Sequence, residues 1–505
     1  VIGRANGTFD IHETQIRAVE RFTYSLGRGP GSHLFKSGIE AGRATTDQFT
    51  PNGRDGSFRF KSETAEPFEG LIAVGLMNPE SDIDARTDID GWVVGGYIND
   101  EWHVSRRLIL NLGLRYDADI NTQNNGFVSP WLADTALSSR PELRGLISSG
   151  HRKNDLDNLS PRVSFSWDVA GNQRAFVRGG LAIMYDRSLG ATVGGEQRAA
   201  TWRTYVFTNP GTLDAAELRR RVIAGGGTAV PPMLNLVPDD LEVPQNRQWS
   251  LGFGGRITPQ LAVNFDYVDQ EITNLFASVN LNWLDVSKKP AARVLSSSYG
   301  NIIALGDFAR TEFRALLTRI SYQPTTTVQL NLSHTLASAK ADWDLENSQV
   351  PAAFAREFYV TQRISGDERH RFVLSGTWQL PLGIGVSTIA TAASPRPYKT
   401  VVGQDLNNNN FQEDDWIGGK RYRVPENVWS NWYRVVDLRV TKAINIGRRS
   451  NVSLIVEAFN VFNTENYSGY FGVQRNATGE LRSDFGSPDG TFAARQIQLG
   501  TRLEF

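Results

Sequence analysis

The chain has 505 residues, with 53 basic and 54 acidic side chains, a net charge of -1 and a mean hydropathy of -0.34. It contains no run of about 18 apolar residues to serve as a membrane helix, and its balanced charge leaves no basic footprint for a nucleic-acid partner. The absence of cysteine excludes disulfides, thiolate zinc clusters and thiol nucleophiles.

A transmembrane β-barrel satisfies all of these bounds, because only alternate residues of its strands face lipid. The period of two needed for such strands runs through the chain. A first strand is expected around Gln15–Leu26. In the stretch Arg107–Asp117, Leu108, Leu110, Leu112, Leu114 and Tyr116 share one face, opposite Ile109, Asn111, Gly113, Arg115 and Asp117. Leu261, Val263, Phe265 and Tyr267 alternate with Asn264 and Asp266. Val328, Leu330 and Leu332 alternate with Gln329, Asn331 and Ser333. At the C-terminus Ile497, Leu499, Thr501, Leu503 and Phe505 oppose Gln496, Gln498, Gly500, Arg502 and Glu504.

About fifteen strands are legible, each close to the ten or so residues a tilted membrane strand needs. Their connections alternate in length. Tight turns fall near Gly27–Gly31, Val104–Arg107, Ala170–Gln173, Ile257–Gln260, Gln323–Thr326, Pro381–Ile384 and Ile446–Ser450. Long loops fall near Asp47–Asp90, Asn121–Asn158, Ser188–Asn246, Ala277–Arg310, Ala341–Gly366, Pro395–Asn431 and Thr464–Ala493. Short periplasmic turns and long extracellular loops are the habit of outer-membrane barrels, and a soluble sandwich has no reason to sort its loops this way. Trp92, Trp102, Trp167, Trp249, Trp378 and Trp432 lie at or near strand ends, where interface girdles form. The expected fold is therefore all-β, a transmembrane antiparallel up-and-down barrel occupying residues 1–505.

Counting strand directions back from a periplasmic C-terminus makes the first visible strand run from outside to inside. Bacterial barrels have even strand numbers and periplasmic termini. An odd number of strands is therefore expected before Val1, unless Ser57–Glu63 or Ala200–Thr208 is a wall strand.

Several segments carry a family likeness. "YINDEWHVSRRLILNLGLRYD" (Tyr97–Asp117) resembles TonB-dependent receptors. Leu159–Arg187, Gln245–Val268, "GDERHRFVLSGTWQLP" (Gly366–Pro381), "VEAFNVFN" (Val456–Asn463) and "RQIQLGTRLEF" (Arg495–Phe505) resemble the Oar-like branch. The resemblance implies the C-terminal part of a 22-stranded barrel in the bacterial outer membrane. It also implies uptake of a bulky solute powered by the TonB–ExbB–ExbD system, and reading of Phe505 by the barrel-assembly machinery. The family's plug, TonB box and regulatory-like domain have no counterpart in these residues. A passive channel, or an adhesion or assembly protein using its long loops, is the competing reading.

No G-x-S-x-G elbow, P-loop or H-E-x-x-H motif points to an enzyme. "GFGG" at Gly252 fails the dinucleotide pattern, and His370, flanked by Arg369 and Arg371, reads as a strand-end structural residue. Arg115, Asp117, Arg434, Glu457, Arg502 and Glu504 are expected on the lumen wall, pairing across strands. The loop "DLNNNNFQEDD" is the local site of greatest interest. Asp405, Asn407 and Asn409 present oxygens at alternate positions, followed by the Phe411 carbonyl, Asp414 and Asp415, as at the start of a calcium loop. Asn410 stands where such loops carry Gly, and no Glu occupies the twelfth position; a polar turn is the alternative. Trp131, Trp202, Trp283, Trp343, Trp416 and Trp429 lie in long loops, where they either bind a solute or pack the loops into a cap.

Overall fold

A computed structural model describes residues 10–505, except 28–30, 63–65, 188–189, 343–349, 352–360, 411, 413–414 and 447–449. The dominant feature is one antiparallel meander of fifteen long strands. In chain order they are β1 (Asp10–Leu26), β2 (Ser32–Phe49), β3 (Arg86–His103), β4 (Leu108–Ile120), β5 (Asp155–Asp168), β6 (Ala175–Tyr185), β7 (Gln245–Thr258) and β8 (Leu261–Asn280). They continue as β9 (Ile302–Thr325), β10 (Val328–Ala341), β11 (His370–Leu380), β12 (Ile384–Ala393), β13 (Tyr433–Ile446), β14 (Ser450–Phe459) and β15 (Gln496–Glu504). Each pairs antiparallel with its neighbours in sequence. Three short loop segments, Leu234–Leu236, Val350–Pro351 and Gln362–Arg363, extend the pairing at the strand ends. Among the described residues no helix is long and apolar enough to cross a membrane.

The two faces differ as the alternation requires. Leu112, Leu114, Tyr116, Trp249, Leu251, Phe253 and Leu499 are exposed on the outward face, the side that lipid covers. The inward face carries ion pairs: Glu40 with Arg115 at 2.6 Å and with Arg187 at 2.8 Å, Arg178 with Asp266 at 2.6 Å, and Arg439 with Glu457 at 3.5 Å. Gly252 belongs to this wall. A Cβ there would stand 2.0 Å from the Asp266 carboxylate, so the glycine makes room for the Arg178–Asp266 pair. Trp92, Trp249 and Trp432 mark the loop-bearing end and Trp102, Trp167 and Trp378 the tight-turn end, two girdles at opposite ends of the strands.

Two expectations change. Ser57–Arg59 and Trp202–Thr208 are strands, but they are not part of the wall. With Glu69–Gly75 and Thr228–Ala229 they form a separate four-stranded sheet between two long loops. Arg434 does not face the lumen, since it lies in one register row with Ala392 and Phe372, on the outward face. The wall also leaves two unpaired edges among the described residues. β1 pairs only with β2, and β15 only with β14.

An open lumen leaves little apolar core inside the wall, and the buried apolar side chains gather in the loops instead. Phe58, Ile72, Val74 and Leu218 close one face of the loop sheet, and Leu137, Leu143, Leu234, Leu236 and Ile302 join three loops. Trp131 stacks edge-on against Tyr299 at 5.6 Å, and the Trp202 indole donates to the Asn52 carbonyl at 2.8 Å. These loop tryptophans therefore pack a cap. Trp343 lies outside the described residues.

Candidate binding vestibule

Under the loops, the inner wall carries two constructions of different kinds. The first is a lock. Helix α1 (Gly190–Thr201) lies against the inner face of β2 and β3, so close that a Cβ on Gly194 would meet the side-chain Oε1 of Gln48 at 2.6 Å. From it Glu196 meets Arg152 of the preceding long loop at 2.8 Å, and the two side chains are 2% and 0% exposed. Arg152 also donates to the carbonyls of Gln123, Val237 and Pro238 at 2.6, 3.0 and 3.2 Å. Its charge is thus fully solvated by the fold, whereas one Glu196 oxygen is buried without a hydrogen bond. Burial, only partly offset by Arg152, pushes the Glu196 carboxyl up to about 7.

The second construction is a pocket. At the extracellular ends of β11–β13 a cavity of about 220 Å³ opens on the inner wall, between the Pro395–Asn431 and Thr464–Ala493 loops. Arg371 and Tyr433 enter it from one register row of the wall. Tyr398, Tyr467, Tyr470 and Phe492 close it from the loops. The rings support one another: Tyr398 and Tyr470 are 5.2 Å apart, and Tyr433 meets Phe492 edge-on at 5.3 Å. Glu368 accepts from Arg371 at 2.9 Å and from Arg396 at 2.7 Å, so two guanidiniums share one carboxylate and the cluster is net cationic. Burial raises the pKa of the Tyr398 and Tyr470 hydroxyls, which keeps both as neutral donors and acceptors. Aromatic faces rimmed by neutral hydroxyls and a surplus of guanidinium suit a polar organic solute with apolar faces and anionic groups.

The calcium-like loop lies apart from this pocket. Asp405 accepts from the Asn409 and Asn410 amides at 3.0 and 2.8 Å, Asn407 from the Asn409 amide at 3.2 Å, and Asp415 from the Leu406 amide at 2.8 Å. Asn410 adopts φ +62°, as a residue in the glycine position must. The structure thus brings Asp405, Asn407, Asn409 and Asp415 into one turn. Phe411 and Asp414 lie outside the described residues. Among those described, no three His, Asp or Glu side chains are grouped to hold a metal. His370 stacks against His334, with ring nitrogens 3.2 Å apart, on the outward face.

A fifteen-stranded antiparallel wall with aromatic girdles, charged lumen and one-sided long loops defines an outer-membrane barrel protein. Residues 3–404 match the outer membrane beta barrel domain family, and the chain belongs to it. Over 99% of its length the chain is 22% identical to the TonB-dependent transporter Oar of Myxococcus xanthus, spanning 47% of that protein. Its fold is that of the outer membrane transporter YddB from Escherichia coli, with a TM-score of 0.64 at 13% identity, covering 98% of this chain and 55% of the other. The ferric enterobactin receptor PfeA from Pseudomonas aeruginosa gives a TM-score of 0.54 at 12% identity, with 98% and 54% covered. The chain thus spans about half the length of the relatives it matches. It forms the wall of an outer-membrane β-barrel.

Proposed function

We propose that this barrel is the wall and outer vestibule of a TonB-dependent receptor that imports a bulky solute. The TonB–ExbB–ExbD system would supply the energy through segments outside these residues. The observation that carries the reading is the tyrosine-lined cationic pocket, built into the inner wall beneath the loops, where a solute arriving from outside first meets the lumen. The two wall edges would take further strands, since edge amides and carbonyls left in hydrocarbon cost several kcal/mol each. The test compares solute depletion from the medium by cells making the complete protein, with and without TonB. A solute class depleted only with TonB, and more slowly when Tyr398→Ala and Tyr470→Ala are combined at equal protein level, is the expected result. Depletion independent of TonB would instead make the protein a passive channel.

Calcium binding at Asp405, Asn407, Asn409, Asp414 and Asp415 belongs to the same proposal, as a clamp on the Pro395–Asn431 loop. Calcium is expected to slow proteolysis of this loop, and Asp405→Ala combined with Asp414→Ala is expected to abolish that protection. Equal cleavage in calcium and chelator would reduce the segment to a turn.

A further inference from the structure

The outward face carries a feature that solute uptake does not use. Arg434, the second residue of β13, points to the lipid side at the level of the outer tryptophan girdle. Its guanidinium lies over the Trp429 ring at 5.2 Å. It has no carboxylate partner and no side-chain hydrogen bond among the described residues. On the same face Arg43 pairs with Asp90 and Arg86 with Asp47, whereas Arg247 donates only to the Gln245 side chain. An unpaired arginine costs little at the headgroup level but has no internal counter-charge.

Directly below it lies a groove of about 410 Å³. Its floor is the outward row of β12, Ala390 and Ala392, and its walls are Phe372 and Leu374 of β11 and Val436 of β13. Small residues between two rows of large ones leave a channel one strand wide, running from Arg434 toward the bilayer centre. Above it Trp429 and Phe462 are exposed. His334 stacks on Phe372 at 4.2 Å and stiffens the wall.

We propose that this face holds a phosphate-bearing lipid of the outer leaflet, with Arg434 on the headgroup phosphate and one acyl chain in the alanine-floored groove. Charge complementarity selects the occupant. A neutral lipid would leave Arg434 without a counter-ion, and free phosphate would leave the groove unfilled.

The complete protein, extracted in mild detergent, is incubated with a diphosphorylated glucosamine lipid or its dephosphorylated form, and adducts are counted by native mass spectrometry. The phosphorylated lipid is expected to remain bound, the dephosphorylated one to fall several-fold, and Arg434→Gln to bring the first down to the second. Ala392→Trp, which fills the groove and keeps the charge, is expected to lower both. Arg43→Gln, a charge loss elsewhere on this face, is expected to change neither. Undiminished binding by Arg434→Gln, equal binding of the two lipids, or displacement by inorganic phosphate alone would overturn the proposal.

Discussion

Leu114 lies on the outward row of β4 between Ile98 of β3 and Pro161 of β5, with 44% of its surface open to lipid. Leu114→Arg has no counter-charge in that row and is expected to cost about 2–4 kcal/mol in refolding titrations, the range for a cation near the bilayer midplane. Leu112→Arg should cost less, because Asp100 is its cross-strand partner. Asn111→Arg points to water and is expected to be nearly neutral. Equal costs for positions 111 and 114 would mean that the register is wrong.

Glu196 offers a second test at this scale. Its carboxyl is held near 7 in the docked loops, against 4.5 when exposed. Between those values the docked state binds the extra proton, so docking weakens as pH rises from 4.5 to 7 and levels off above it. Hydrogen exchange of residues 190–201 is expected to quicken across that window, and Glu196→Gln to flatten the dependence. Arg152→Ala strands a buried carboxylate and should loosen the loops by about 3–5 kcal/mol above pH 7.

Strand direction is the testable property of the elements. A tag inserted at Asp484 or Asn408 is expected to be reachable by antibody on intact cells, whereas one at Thr326, in the tight turn between β9 and β10, should need permeabilised cells. The elements were legible because a wall one residue thick imposes its period directly on the sequence. β4 reads off its leucines alone, and the alternation of tight turns and long loops supplies the rest. The loop architecture obeys no such period. Arg152 and Glu196 are 44 positions apart, and the tyrosines of the pocket come from three separate stretches, so neither site leaves a local signature. Arg434 is a different kind of miss. In "YRVVDLRV" two adjacent valines blur the alternation, yet counting back by twos from Val440 and Leu438 places Arg434 on the outward face.

At the scale of the molecule, β1 and β15 run in the same direction, being the first and last of fifteen alternating strands. They cannot pair antiparallel with each other. Residues 1–505 produced alone are therefore expected to lack the heat-modifiable, protease-resistant band of a closed barrel. A heat-modifiable band from 1–505 alone would show that the wall closes by another pairing.

The sheet that joins residues 57–75 to residues 202–229 has a consequence for engineering and for divergence alike. Its central ladder runs from Glu69–Thr208 to Gly75–Trp202, so the longest strand of each loop is paired by the other. Neither loop can be transplanted singly into a related barrel without exposing a raw sheet edge to the medium. The two form one inheritable unit, and a change of ligand preference built on either has to be carried by both.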